Sequence, residues 1–467
     1  MPTTLANSLE KLILGQVTDK KEFLDFYSLD SSAYSKRPRL IIFPKSINDI
    51  KTTVRFARKR NIPICARGGS TGLVGSALTN GIILDMKNFN KIKLSKNNVT
   101  VGAGVSKGEL DKILKANKKF LGPNPSVGAF CKIGGMIANN SSGSRSLKYG
   151  GIIDNLIEIV MVDGSGNQII LPKNKSLSKK IGKISDGARQ LYPDVSKNSA
   201  GYRLDVTDEK NSQKIIAGSE STLGIVVQAK LRIFNVPTKR QLTVVGFKRL
   251  QDALYTVPYI LRLKPSSLEL VDETVIRNIN HKFPKGTKCL LMIEFDADVA
   301  KSQNFLQNLL HEYKIIFTST KNSEIEKWWT FRDSALFFTL KNIPKNLLVP
   351  HVMEDATVPP ENLKFLISVL EKITKKHRLK FVIYGHAGNG NLHIRLISNS
   401  KRNLDNLYKE FFSSVVSLGG TISGEHGDGI ARTRYLKLQY SAQLLEKFRQ
   451  IKKQFDPYGI MNPGKII

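Results

Sequence analysis

Along the first half of the chain short apolar runs alternate with amphipathic stretches, and the period of each run predicts its element. Ile47, Ile50, Val54 and Ala57 recur at helical spacing behind Ser46, which predicts a capped helix ending in the basic turn Arg58-Lys-Arg60. Ile62-Pro-Ile-Cys-Ala66 is short and apolar, as a buried strand is, and Gly81-Ile-Ile-Leu84 (closed by Asp85) and Val99-Thr-Val-Gly102 predict two more. A helix is predicted over 107–116 and a strand over 228–234, so this half has an α/β texture. Pro237 and Lys239-Arg240 mark a boundary. Beyond it, strands at 242–247 and 290–295 alternate with helices at 300–313 and 361–375, which predicts a mixed or antiparallel sheet covered by helices. Leu5, Leu9, Leu12 and Ile13 predict a short amphipathic helix within residues 1–16; Glu10 and Lys11 deny it the unbroken apolar core of a signal peptide. No apolar run approaches the ~18 residues of a membrane span.

Glycine-rich segments lie between these elements. Arg67-Gly-Gly-Ser-Thr-Gly-Leu-Val-Gly-Ser76 follows a predicted strand and carries Gly68, Gly69, Gly72 and Gly75, hydroxyls at Ser70 and Thr71, and no carboxylate. Successive backbone N–H groups in such a turn form an anion-binding concavity, and the missing side chains let a bulky diphosphate come close. The spacing is neither that of G-x-G-x-x-G nor that of the P-loop. Two further blocks have similar character: Ile133-Gly-Gly-Met-Ile-Ala-Asn-Asn-Ser-Ser-Gly143, preceded by Gly122-Pro-Asn-Pro-Ser126, and Ala217-Gly-Ser-Glu-Ser-Thr-Leu-Gly-Ile-Val-Val227.

At 467 residues the chain is long enough for two or three domains. Its 72 basic and 39 acidic residues give a formal net charge of +33, a field that favours anionic partners such as an acidic protein or an acidic membrane face. The lysines are dispersed and accompany no aromatic-interleaved RNA motif or zinc-finger spacing, so nucleic acid is not an expected partner. Cys65, Cys131 and Cys289 form no CxxC pair; they predict a reducing cytoplasm and supply no ligand set for an iron–sulfur cluster.

Histidines and acids cluster in the second half. In His386-Ala-Gly-Asn-Gly-Asn-Leu-His393, a two-residue turn at Asn389-Gly390 would set Gly388 opposite Asn391, Ala387 opposite Leu392 and His386 opposite His393. Two imidazoles on one face can share a divalent metal. Gly419-Gly-Thr-Ile-Ser-Gly-Glu-His-Gly-Asp-Gly429 offers Glu425 as an oxygen ligand and His426 as a base near neutral pH. In extended backbone these neighbours would point opposite ways, and Asp428 is expected to make a turn. Arg332, in Trp328-Trp-Thr-Phe-Arg332, is the expected anchor for a substrate carboxylate, because a guanidinium fork suits bidentate recognition.

Together, RGGSTGLVGS, IGGMIANNSSGSRSLKYG, GSESTLGIV, GHAGNGNLH, SGEHGDG and NPGK occur in an order that resembles the FAD-linked oxidases of D-2-hydroxy acids, from about Lys36 to the end of the chain. That group includes D-lactate dehydrogenases, D-2-hydroxyglutarate dehydrogenases and the catalytic subunit of glycolate oxidase. The resemblance implies an α+β protein with a two-part FAD-binding domain of vanillyl-alcohol-oxidase type over 1–237, a substrate (cap) domain over 238–420, and a C-terminal segment, 421–467, that returns to the FAD domain. It places Arg67, Gly68, Gly69, Ser70, Thr71, Gly72, Ser76, Pro123, Gly134, Gly135, Asn139, Gly143, Glu220, Ile225 and Asn462 at the FAD. His386, His393 and Glu425 fall on the family's ligands for a divalent metal, zinc or manganese, and His426 falls on its base. Some relatives tether the flavin through a histidine in the first loop; Ser70 stands in that stretch here, which implies non-covalent FAD. Relatives specific for the longer diacid carry a threonine and a lysine where this chain has Leu336 and Met353, which favours lactate or glycolate. Arg332 would grip the carboxylate, His426 would take the hydroxyl proton, and hydride would pass from C2 to flavin N5. Electrons would leave to a quinone, a cytochrome or an iron–sulfur partner subunit. The protein is expected in the cytoplasm, with peripheral attachment to the inner face of the membrane as the option raised by its charge. The alternatives are a transferase of the ether-lipid-synthase type on the same fold and, in another class, a nucleic-acid-binding protein.

Overall fold

The computed structural model describes residues 4–277, 283–341, 343–344, 347–399 and 404–467. The amino-terminal helix spans Thr4–Glu10; Met1 to Thr3 of the predicted segment lie outside the described residues. Ile47–Lys59 forms as predicted: Ser46 Oγ accepts from Asp49 N, and Ile50, Val54 and Ala57 are buried. Lys107–Ala116 opens with a capping box in which Ser106 and Glu109 satisfy each other's backbone N–H groups.

Three main sheets follow. In the first, Gln16–Thr18, Leu40–Phe43, Ile82–Asp85 and Ile64–Arg67 lie in that spatial order. Its last three strands are parallel, and Gln16–Thr18 pairs antiparallel at the edge. In the second, Ile92–Leu94, Asn98–Gly102, Ile225–Arg232, Leu156–Val162 and Gln168–Leu171 pair antiparallel throughout. The α/β texture expected of this half therefore holds only for the first sheet. The second is built from adjacent hairpins and long returns, which close antiparallel ladders without crossover helices.

The third sheet has seven strands and draws on later sequence. In spatial order they are Lys314–Ser319, Gln241–Phe247, Cys289–Phe295, Ser267–Asp272, Lys380–His386, Asn391–Asn399 and Leu347–Leu348, all antiparallel. One face packs on the helices Leu250–Leu261 and Leu363–Lys376 with Val245, Leu270 and Leu291; the other packs on Trp328, Trp329 and Phe331 of Asn322–Asp333.

The C-terminal residues lie against the first sheet. Ile64 N donates to Ile460 O at 2.8 Å, Asn462 N to Ile64 O at 2.9 Å, and buried Lys465 Nζ to Leu78 O at 2.6 Å. Among the described residues no helix is long and apolar enough to cross a membrane.

Candidate active site: a glycine-rich cleft and an imidazole–carboxylate cavity

The glycine loop after Ile64–Arg67 borders a cleft with the short helix Ile133–Ala138 and the turn at Glu220-Ser221. Gly68, Gly69, Ser70, Thr71, Gly72, Ser76, Gly135, Asn139 and Glu220 line it, and Arg67 and Gly134 line its continuation toward Met86. A Cβ built on Gly135 meets nothing within 4 Å, so a side chain there would occupy the cleft itself. Donor-rich backbone, an absence of side-chain bulk and a gap bounded by glycine fit a dinucleotide such as FAD.

Four residues expected at the cofactor are not in this lining, and one of them, Gly143, lines the neighbouring cavity instead. Pro123 is buried. Ile225 is fully buried and engaged in the ladder opposite Val162, because its strand starts three residues earlier than the sequence predicts. Asn462 acts as a brace, its Nδ2 donating to Ser76 O at 2.8 Å and Glu220 O at 2.6 Å. The Glu220 carboxylate is likewise engaged, accepting from the N–H groups of Asp428 and Gly429. Burial, opposed by those two donors, pushes its pKa up to about 7. Asp428, expected to make a turn, is fully buried, accepts from Gly201 N at 2.7 Å, and burial beside Glu220 holds its carboxyl well above the usual range.

A second cavity shares Thr71, Gly72, Cys131, Asn139 and Ser141 with the cleft and adds Gly143, Arg332, Leu336, Tyr384, His386, His393, Arg395, Glu425 and His426. The hairpin that brings the histidines together differs from its prediction. The loop has four residues, 387–390, with Gly390 in the left-handed region at φ 70°, and the register sets His386 opposite Asn391 and Tyr384 opposite His393. The shift is two residues, so each side chain keeps its face. His386 and His393 become diagonal neighbours with ring centroids 5.2 Å apart.

Both imidazoles converge on one oxygen. His386 Nε2 lies 2.9 Å and His393 Nε2 3.3 Å from Glu425 Oε1. The other oxygen, Oε2, accepts from Ser142 Oγ at 2.5 Å, from Gly143 N at 2.9 Å and from Lys197 Nζ at 2.9 Å. Gly143 reaches that position at φ 106°, a backbone state costly for any residue with a Cβ. Burial opposes the charge on Glu425, but Lys197 and His386 outweigh it and hold the carboxyl well below the usual range.

Glu269, an acid in the middle of strand Ser267–Asp272, accepts from His386 Nδ1 at 2.8 Å and from Arg332 Nε at 2.7 Å. A carboxylate on Nδ1 assigns the proton there and turns Nε2 toward Glu425. Arg332 is therefore less free than expected: Nε and Nη2 are engaged by Glu269, Nη2 also lies 3.2 Å from His386 Nδ1, and Nη1 sits 3.7 Å from Asp333. Its whole fork is not available to a ligand.

Glu425 and His426 do not point apart. The segment is bent rather than extended, and both N–H groups donate to Asp355 Oδ2, at 2.9 and 2.8 Å. His426 stacks on His393, 12° between planes and 5.0 Å between centroids. Its Nδ1 donates to Glu354 Oε1 at 2.6 Å. Burial works against charge on this ring, but Asp355 and Glu354 overcome it and raise the pKa to about 9. Burial lowers His393 to about 4, and its Nδ1 is buried without a hydrogen-bond partner.

These donors fit a divalent cation. Imidazole and carboxylate are its ordinary ligands, Nε2 of both His386 and His393 faces Glu425 Oε1, and Glu269 backs His386 as an outer-shell carboxylate does. Ligand atoms of Asp355, His393, Glu425 and His426 all lie within 4.8 Å of one another, a set that includes Asp355 and omits His386. Sequence reasoning missed Glu269, Glu354, Asp355, Lys197, Tyr384 and Arg395. Three of them, Glu269, Glu354 and Asp355, had a visible signal: they are acids set inside the largely apolar stretches Ser267–Asp272 and Met353-Glu-Asp-Ala-Thr-Val-Pro359.

Residues 38–171 match the model of the FAD binding domain, and residues 236–466 match that of the FAD linked oxidases, C-terminal domain. The chain is 28% identical to the glycolate oxidase subunit GlcD of Bacillus subtilis (strain 168) over 463 residues, 94% of this chain and 91% of that one. It is also 28% identical to the D-2-hydroxyglutarate dehydrogenase of Pseudomonas putida over 97% of this chain, which spans half the length of that relative. Among solved structures, an alkyldihydroxyacetonephosphate synthase superposes with a TM-score of 0.70 over 99% of this chain and 85% of its own, at 20% identity.

Proposed function

This chain belongs to the FAD-linked oxidases and has the vanillyl-alcohol-oxidase-type FAD fold, and from that premise we propose that it oxidises a small 2-hydroxy acid to the 2-oxo acid, with glycolate or D-lactate favoured. One observation carries the reading: a single cavity is lined both by residues of the glycine-rich cleft and by His386, His393, Glu425, His426 and Arg332. Leu336 in that lining offers apolar surface where relatives specific for the longer diacid carry a threonine; Met353, in place of their lysine, is fully buried and outside the lining.

Bound FAD, non-covalent because residues 67–76 hold no histidine or cysteine, supplies the hydride acceptor. A divalent cation, zinc or manganese, held by His386, His393 and Glu425 would polarise the substrate hydroxyl. The chain's own residues do the rest. Arg332 turns Nη1 toward the carboxylate while Glu269 fixes its orientation. His426 receives the hydroxyl proton on Nε2, because Nδ1 is committed to Glu354. The electrons pass to an acceptor outside the chain, a quinone, a cytochrome or an iron–sulfur protein; a surface of net charge +33 suits an acidic docking partner or the inner face of a membrane in the cytoplasm.

A second reading is a transferase without net oxidation, favoured by the solved structure named above as a synthase. Anaerobic addition of substrate separates the two. Glycolate or D-lactate should bleach the flavin absorbance near 450 nm, ~450 nm being the usual oxidised-flavin band. A spectrum unchanged by a panel of D- and L-2-hydroxy acids, with and without added zinc or manganese, refutes the dehydrogenase.

A further inference from the structure

The hairpin face that presents His386 and His393 also presents Tyr384 and Arg395. Side chains alternate along a strand, so Tyr384 stands two residues before His386 and Arg395 two beyond His393, about 7 Å along the strand. Both line the cavity, 3% and 2% exposed. A guanidinium is expensive to bury unless its donors are matched, and that of Arg395 is matched only in part. Nε donates to Tyr384 Oη at 3.1 Å, and Nη1 lies 2.6 Å from His351 Nδ1 and 3.0 Å from Glu354 Oε2. Nη2 has no partner among the described residues. Tyr384 Oη accepts from Arg395, so its own proton is left to donate. Arg332 adds Nη1, the only one of its nitrogens not turned to Glu269. Two donors, Arg395 Nη2 and Tyr384 Oη, thus enter one cavity with no acceptor among the described residues, and a third, Arg332 Nη1, has only a 3.7 Å approach to Asp333; a carboxylate, with about four lone-pair sites, is the group that takes several N–H and O–H donors at once.

Resting on the reading of this cavity as the 2-hydroxy-acid site, we propose that Arg395 and Tyr384 share the substrate's C1 carboxylate with Arg332. Arg395 is then the second arm of a two-arginine clamp, and it supplies the donor edge that Glu269 withdraws from Arg332.

The test uses the flavin-loaded enzyme with Arg395→Lys, Arg395→Met and Tyr384→Phe. Lysine keeps the positive charge beside Glu354 but loses the planar fork. Loss of a charge-assisted hydrogen bond predicts a KM for glycolate or D-lactate raised about 10- to 100-fold in the arginine variants. Tyr384→Phe should raise it about 3- to 10-fold. kcat should fall by less than KM rises, with FAD content and Tm of Arg395→Lys and Tyr384→Phe at wild-type values. Affinity for oxalate, read as a perturbation of the flavin spectrum, should weaken by the same factors. Unchanged KM and oxalate affinity in Arg395→Lys and Tyr384→Phe overturn the proposal, as does lost FAD or lowered Tm with KM unchanged in the remaining holoenzyme. Should Arg395→Met fail to fold, the other two variants carry the test. If no 2-hydroxy acid bleaches the wild type, the functional reading fails, and the oxalate titration still decides this inference: equal affinities in wild type and Arg395→Lys overturn it.

Discussion

Glu269 holds two sides of the site together, and removing its charge should do more damage than removing the pair. It is 1% exposed and accepts from Arg332 Nε at 2.7 Å, from Arg332 Nη2 at 2.5 Å and from His386 Nδ1 at 2.8 Å. In Glu269→Leu the Arg332 guanidinium stays buried with its main counter-charge gone; in Arg332→Met the carboxylate keeps only His386. Breaking a buried ion pair from one side costs about 3–5 kcal/mol. Replacing both by apolar side chains leaves no uncompensated charge, and the remaining penalty is the lost acceptor of His386 Nδ1, about 1–3 kcal/mol. The double variant should therefore be more stable than the sum of the singles by at least ~3 kcal/mol. Urea unfolding followed by tryptophan fluorescence is the assay, because the chain's two tryptophans, Trp328 and Trp329, ride on the Asn322–Asp333 helix that carries Arg332. Trp329 Nε1 also donates to Glu294 in the sheet, so its emission reports this packing. Single-variant effects that add within ~0.5 kcal/mol would refute the reasoning.

Three other outcomes are expected. With its pKa raised to about 9, His426 gains the form that accepts a proton only as pH rises. Below that value kcat/KM in chelator-treated enzyme should therefore increase about tenfold per pH unit; zinc or manganese should shift the limb to lower pH, and a flat profile between pH 6 and 9 (about the range below that pKa) counts against His426 as the base. Glu220, raised to about 7 by burial, contributes stability that is complete below its unfolded value near 4.5 and is lost as pH rises through 7. Tm should accordingly fall over that window, and Glu220→Gln, which still offers an oxygen to Asp428 N and Gly429 N, should flatten the fall; a slope equal to wild type contradicts the assignment. Gly135→Leu puts a side chain into the cleft while improving a helical position, so the purified variant should show wild-type circular dichroism and bind no FAD on reconstitution; a yellow product with normal stoichiometry would move the flavin elsewhere.

Elements with local causes were legible in the sequence. Ser46 starts its helix where a short-range hydrogen bond dictates, the helix expected over 107–116 forms over those residues, and the apolar strands 64–67 and 82–85 stand within a residue or two of expectation. The hairpin shows why a wrong register still gave a right pairing of faces. Asn389-Gly390 suggested a two-residue turn, whereas Gly390 alone takes the left-handed state and closes a longer loop; because the slip is even, His386 and His393 share a face in either register. The orientation of Glu425 and His426 was not legible, because it depends on a remote acceptor. Asp355 lies seventy residues away and bends the segment by taking both N–H groups.

Charge balance across such distances is the property that only the fold reveals, and it ties the proposed base to the proposed cation. Five carboxylates line or back the cavity: Glu269, Asp333, Glu354, Asp355 and Glu425. Four cations answer them, Lys197, Arg332, Arg395 and Arg432, and the His426 proton is the fifth positive charge. Buried charge is tolerated only near neutrality. A divalent cation together with a substrate carboxylate brings one net positive charge, and balance is kept if His426 gives up its proton. The same electrostatics that make His426 an acid in the empty cavity would then make it a base in the loaded one. The ring's titration, followed by its imidazole 13C resonance in enzyme labelled at histidine, should therefore move down in pH when zinc and oxalate are both added, and by less with oxalate alone. A titration that stays near 9 in the presence of both would break the link between the proposed cation ligands and the proposed base.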